Sequence, residues 1–161
     1  MSDWTDENVI DDVTLRLVAS ENGILEILLR WSEPPAGRPN PDNPILVETA
    51  RQLRAYFAGE LREFNLPLDM RGTDFQVRVW RQLQTIPYGE TRSYSDIARA
   101  IQAPRAVRAV GSANGANPIS IVVPCHRVIG SSGKLVGYGG GLSLKKRLLN
   151  LERGPGLWPV T

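Results

Sequence analysis

A single cysteine and a single histidine occur among 161 residues, side by side as Cys125-His126. That count limits how the chain can be held together. One cysteine forms no internal disulfide, and one Cys with one His cannot complete a tetrahedral Cys/His zinc site. Apolar burial must hold the fold. At 161 residues and 42% hydrophobic content the chain suits one large domain or two small ones. A reducing, cytoplasmic setting and metal-free chemistry without a cofactor are expected. No apolar run approaches the roughly 20 residues of a membrane helix. The first seven residues are acidic and lack an apolar stretch, so no signal peptide is expected.

The net charge of +2 conceals two unlike halves. Residues 1–70 hold six Arg against thirteen carboxylates, whereas residues 71–161 hold thirteen Arg or Lys against four. The sign changes near Gly72, and the domain boundary is placed there, giving domains 1–71 and 72–161. A basic half rich in Arg rather than Lys suits forked contacts to phosphate or bases, although a solvated basic surface has the same composition.

In the acidic half, Val13 to Ala19 and Ile24 to Trp31 read as a hairpin across Glu21-Asn22-Gly23. Pro34 to Pro44 reads as a loop. Ile45 to Leu61 reads as a helix with Val47, Ala50, Leu53, Phe57 and Leu61 inward. In the basic half, Thr73 or Asp74 caps a helix to about Thr85, with Phe75, Val79, Trp80 and Leu83 inward. Ser93 caps a short helix from Tyr94 to Ile101. Pro104 fits the first turn of a helix reaching about Asn114. This helix pair, joined across Gln102-Ala103-Pro104, has the form of a helix-turn-helix. Ile119 to Val123 reads as a β-branched strand, 130–141 as a glycine-rich loop, and Leu142 to Glu152 as a last amphipathic helix. The expected fold class is α/β: a small N-terminal antiparallel-sheet domain with a helix, and a mostly helical C-terminal domain with a helix-turn-helix-like element.

The chemistry points to Cys125 and His126. A thiolate is a strong nucleophile, and an imidazole accepts protons near neutral pH. The blander reading of Cys125 is a buried structural thiol. Neighbours on a regular strand point to opposite faces, so either the strand ends at Pro124 or a water or bend relays the proton. The segment from Pro104 to Asn117 is small or apolar apart from Arg105 and Arg108. By itself it favours close helix packing with two solvated arginines. Glu152 alone reads as a solvated carboxylate.

Several segments together carry a resemblance. Pro124-Cys125-His126-Arg127-Val128-Ile129-Gly130 resembles the active-site signature of the O6-alkylguanine-DNA alkyltransferases. Pro87 to Tyr94, Ala106 to Gly111, Asn117-Pro118, Gly137 to Leu142 and Leu148 to Glu152 are similar to that family's motifs, in the family's order. The likeness is close over 72–152 and general over 1–70.

The resemblance implies a methylated-DNA–protein-cysteine methyltransferase. Such a protein reverses O6-alkylguanine damage once per molecule, with O4-alkylthymine as a further expected lesion. Cys125 would accept the alkyl group, His126 would deprotonate it through a water, and Glu152 would orient His126. Asn117 would brace the turn, and Tyr94 would contact the target base and its phosphate. Arg108 would enter the duplex through the minor groove and fill the gap left by the flipped base. Arg105, Ala106, Val107, Gly111, Ser112 and Ser131 would complete the contact with double-stranded DNA. Tyr138, Val128, Gly137, Gly139, Gly140 and Ser120 would shape the base pocket. A monomer is implied, with clustering on DNA left open.

Two departures from the family's pattern stand out: Ser120 where some members have proline, and Gly115 where some carry another Arg. A lesion-binding protein that recruits other repair factors, and a cysteine hydrolase of small molecules, are the competing readings.

Overall fold

The structure, a computed structural model, describes residues 3–35 and 37–154. The chain divides into two compact units, Met1–Arg71 and Gly72–Thr161.

The first unit contains β1 (Trp4–Ile10), β2 (Val13–Ser20), β3 (Gly23–Leu28), β4 (Arg38–Pro39) and α1 (Pro44–Phe57). The sheet order is β3-β2-β1-β4. The three long strands pair antiparallel, and β4 adds in parallel to β1, so the sheet is mixed rather than antiparallel throughout. Strand β1 lies in a polar stretch with no clear alternation. Its hairpin is closed by Asp11 and Asp12, at φ 52° and 68°, the left-handed pair that a two-residue turn between twisted strands requires. Strand β4 falls inside the expected proline loop. Pro39 is tolerated there because an edge strand need not donate from every residue.

Helix α1 begins at Asn43, whose Oδ1 accepts from the Ile45 and Leu46 amides, and Pro44 takes the first turn. It ends at Phe57, short of Leu61, and its buried face is rotated from the expected stripe. Leu46, Ala50, Leu53, Tyr56 and Phe57 are buried, whereas Val47 is 51% exposed. A buried Gln52 makes this possible. Its amide donates to the Asn65 carbonyl and accepts from the Asn65 amide, both at 2.9 Å, so no polar group on that face is stranded.

The second unit contains α2 (Asp74–Leu83), β5 (Arg92–Ser93), α3 (Tyr94–Ala100), α4 (Val107–Gly115), a 3-10 turn (Cys125–Arg127), β6 (Val128–Ile129) and α5 (Leu142–Arg153). Thr73 caps α2 and Ser93 caps α3, each reciprocated by the third residue of its helix, Gln76 and Asp96. Strands β5 and β6 pair in parallel, joining the start of α3 to the exit of the Cys125 turn. Trp80 of α2 is buried and donates from Nε1 to the Ala113 carbonyl at 2.8 Å, pinning α4.

Two sequence expectations are corrected here. Pro104 is not in the first turn of α4. The Ala106 amide bonds back to Ala103 in a turn, and the first helical bond is Val110 to Ala106, so the helix starts at Val107. The run Ile119 to Val123 is not a strand. Asn117 accepts from the Ile119 amide at 3.0 Å and donates to the Val123 carbonyl at 2.8 Å, while Val123 bonds to Ile119 and Ile121 sits at φ 73°. One side chain thus holds both ends of the turn. The β-branched residues Ile119, Ile121 and Val123 serve burial instead.

Gly72 is another close fit. A Cβ there would lie 2.6 Å from the Trp80 ring, which is held by its bond to α4. Gly72→Ala is expected to lower stability by about 1–3 kcal/mol, read as a lower denaturation midpoint. An unchanged midpoint would show that the ring moves freely.

Candidate active site

The site lies within the second unit and begins with the 3-10 turn. At three residues per turn, successive side chains diverge by about 120°. Cys125 and His126 therefore point different ways, which keeps the expected separation for a reason other than strand geometry. Both are buried.

Cys125 lines a pocket of about 680 Å³. One wall is α4, through Val107, Arg108, Gly111 and Ser112; another is the glycine-rich loop, through Gly137, Tyr138 and Gly139. Tyr94, Asn117 and Ser120 also line it. Helix α4 approaches Tyr94 at Gly111, where an added Cβ would stand 4.0 Å from the ring. Arg108 is exposed on α4. Burial pushes the Cys125 thiol pKa up, while the Asn117 side chain and the Lys145 ammonium lower it. The net rise keeps the resting group a thiol that needs a base.

His126 turns to the other side. Its Nε2 meets Glu152 Oε2 at 2.8 Å, and its Nδ1 is buried without a protein partner among the described residues. Burial lowers the His126 pKa, Glu152 raises it, and Arg127 and Lys145 lower it again. The imidazole is therefore neutral at rest and able to accept a proton. Glu152, also buried, is shared. Arg127 Nε donates to Oε1 at 2.7 Å and a terminal nitrogen donates to Oε2 at 3.0 Å. Burial would raise the Glu152 pKa, but His126 and Arg127 bring it down to about 2.

Tyr138 stands between the pocket and this network. Its ring is 6.5 Å from the His126 ring at 78°, and its hydroxyl is buried without a protein partner among the described residues. Burial, then Cys125 and Glu152, drive its pKa up, so it stays a phenol.

Not every expected residue lines the pocket. Arg105 is exposed in the turn before α4, Ala106 is that helix's N-cap, and Ser131 is exposed in the glycine-rich loop. Gly140 lies in the turn that closes with the Gly141 amide donating to the Tyr138 carbonyl at 2.9 Å. Val128 is buried and contributes its carbonyl elsewhere, to Lys145.

Asn114, Val136 and Lys145 were not foreseen. Asn114 and Val136 line the pocket, and Asn114 Nδ2 lies 3.4 Å from the Cys125 carbonyl. Lys145 is fully buried in α5. It donates to Val128 and Val136 carbonyls at 2.7 and 2.9 Å, and burial pushes its pKa down to about 8. A signal for it exists in the sequence. Lys145, Leu148, Leu149 and Glu152 form one i, i+3, i+4, i+7 stripe, the buried face of α5.

Residues 74–154 match the family described as 6-O-methylguanine DNA methyltransferase, DNA binding domain. Residues 14–70 match the ribonuclease-like domain of the same family. A methylated-DNA–protein-cysteine methyltransferase of Mycobacterium tuberculosis is 60% identical over 129 residues, covering 80% of this chain and 78% of the relative. A constitutive one of Bacillus subtilis is 52% identical over 124 residues, covering 76% and 75%. Among solved structures, the M. tuberculosis OGT in complex with DNA superposes with a TM-score of 0.83 at 52% identity, covering 95% of this chain and 93% of that one.

Proposed function

The chain belongs to the 6-O-methylguanine DNA methyltransferase family, and from that premise we propose that Cys125 takes the alkyl group from O6-alkylguanine in DNA. Damage is reversed directly, without excision. The observation that carries the assignment is the position of Cys125: the only cysteine lines the pocket between α4 and the glycine-rich loop.

The thiol proton passes to His126, through a water that Nδ1 can bind, and Glu152 orients and balances the imidazolium. The buried, unpartnered Nδ1 supports this relay. The thiolate then attacks the alkyl carbon in line. The S–C bond forms, the C–O6 bond breaks, and the electron pair leaves with guanine. Tyr94, on the pocket wall, supplies a hydroxyl against the charge that develops on the ring. The thioether is stable, so each molecule acts once.

The O6 substituent of a stacked guanine lies beyond the reach of a buried thiol, so the base must leave the stack. Arg108, exposed on α4 at the pocket rim, enters from the minor groove and fills the gap. Arg105, Ala106, Val107, Gly111, Ser112 and Ser131 meet the duplex. Tyr138, Val128, Gly137, Gly139, Gly140 and Ser120 shape the base site, and Asn117 holds the turn beneath it. O4-alkylthymine is a second lesion class for this pocket. No helix among the described residues is long and apolar enough to cross a membrane. A cytoplasmic monomer is the working form in this reading.

Peptide mapping after incubation with an O6-methylguanine duplex tests the assignment. A methyl on Cys125 is expected; methyl on any other residue, or none, would sink it. Arg108→Ala provides a second test. It is expected to slow transfer from duplex DNA about tenfold or more beyond any effect on free O6-benzylguanine, since flipping involves a few kcal/mol. Equal losses on both substrates would remove Arg108 from base extrusion.

A further inference from the structure

A second cation, with no part in the transfer steps, shares the carboxylate that serves the base. Arg127 does not line the pocket. It is buried, and its guanidinium forks onto both oxygens of Glu152 at 2.7 and 3.0 Å. Its remaining nitrogen donates to the Ile86 carbonyl at 2.7 Å, and its guanidinium carbon lies 5.7 Å from the centre of the Tyr88 ring. The Tyr88 hydroxyl donates to the Leu151 carbonyl at 3.3 Å, one residue before Glu152. The turn Ile86 to Gly89 therefore closes over the Arg127–Glu152 pair, giving the Pro87-Tyr88-Gly89 segment a local task.

We propose that Arg127 is a positioning residue that keeps His126 neutral and correctly turned until Cys125 gives up its proton. This rests on the alkyl-transfer reading above. The reason is a count of buried charge. Arg127 and Glu152 together are neutral, so a protonated His126 would leave one net positive charge buried, which is costly. Without Arg127, Glu152 loses the guanidinium that forks onto both its oxygens, and protonation of His126 from solvent becomes the nearest way to balance the carboxylate. A protonated imidazole cannot accept the thiol proton. The fork also holds the carboxylate plane, and so the direction of the bond to His126 Nε2.

The other groups around His126 leave Arg127 as the balancing charge. Cys125 is a thiol and Tyr138 a phenol at neutral pH. Lys145, from α5, adds a further positive influence that also disfavours protonated His126. Helix α2 packs against the same turn, and its charged residues Asp74, Arg78 and Arg81 are exposed.

The test uses the full chain and two readouts. The first is the single-turnover rate of transfer from an O6-methylguanine duplex between pH 5.5 and 9, for wild type, Arg127→Lys and Arg127→Gln. Arg127→Gln is expected to move the acid limb of the profile up by about one pH unit. Arg127→Lys, which retains the charge, is expected to restore most of that limb. A lower rate with an unmoved acid limb in both variants would overturn the proposal and leave Arg127 a structural residue.

The second readout does not need activity. His126 is the only histidine, so its ring nitrogens can be titrated by NMR without ambiguity. In wild type it is expected to be neutral throughout pH 6.5–8; a protonated ring at pH 7 would overturn the proposal even if the variants fail to fold. Failure of alkyl transfer by wild type with a neutral His126 would instead count against the functional reading.

Discussion

Cys125→Ala is expected to abolish transfer while leaving affinity for a methylated duplex within a few-fold of wild type. The two effects separate because they rest on different atoms. In the proposed reaction the acceptor is the Cys125 sulfur, the only thiol of the chain. In the proposed reading, binding instead depends on phosphate contacts from the basic second half and on the surface of α4. Cys125 is 6% exposed at the pocket floor and presents little area to a backbone. Single-turnover repair and a gel-shift titration measure the two sides. Residual methyl transfer by the variant would point to another acceptor. Complete loss of binding would mean that the duplex rests on the thiol itself, contrary to the geometry.

Glu152→Gln is expected to produce the largest combined effect on rate and stability. The carboxylate answers two buried groups at once, with His126 Nε2 at 2.8 Å and the Arg127 fork at 2.7 and 3.0 Å. An amide of the same shape removes the charge and leaves the Arg127 cation buried without its counterion, which costs about 3–5 kcal/mol. It also strips His126 of the group that raises its basicity and fixes its tautomer. The transfer rate is expected to fall by about 10²–10⁴-fold. Thermal denaturation and single-turnover transfer measure the two losses. A Glu152→Gln protein with wild-type rate would remove Glu152 from the relay. A wild-type denaturation midpoint would show that the Arg127 charge finds another partner.

Part of the candidate site was legible because Cys125 and His126 are unique in the chain. Glu152 by itself reads as a solvated carboxylate, and only the family resemblance pairs it with His126; the structure buries it on the inner face of α5. The caps Thr73 and Ser93 were readable because a hydroxyl with its reciprocal partner three residues on acts within one turn.

The rest depends on hydrogen bonds and pairings that residue type does not reveal, several of them to residues far along the chain. The run from Ile119 to Val123 has strand composition, but it folds into a turn, with Val123 bonded back to Ile119 and the Asn117 side chain holding both ends. Helix α1 was read with its stripe off-centre because a satisfied Gln52 occupies the buried side while Val47 faces out. Strand β1 carries a polar pattern and is recognisable only through its pairing with β2. Lys145 and Arg127 look like surface charges in a basic region. They are buried because backbone carbonyls and one carboxylate converge on them, from residues 8 to 41 positions away.

The central claim is that Cys125 is consumed in a single repair event. Its most direct test is a titration of O6-methylguanine duplex against the protein, with lesions repaired and methylated protein counted by intact mass in the same samples. The account predicts that repair stops at one lesion per chain, with one methyl per chain and no further repair on longer incubation. Repair continuing past one lesion per chain, or repair without methylated protein, would contradict it.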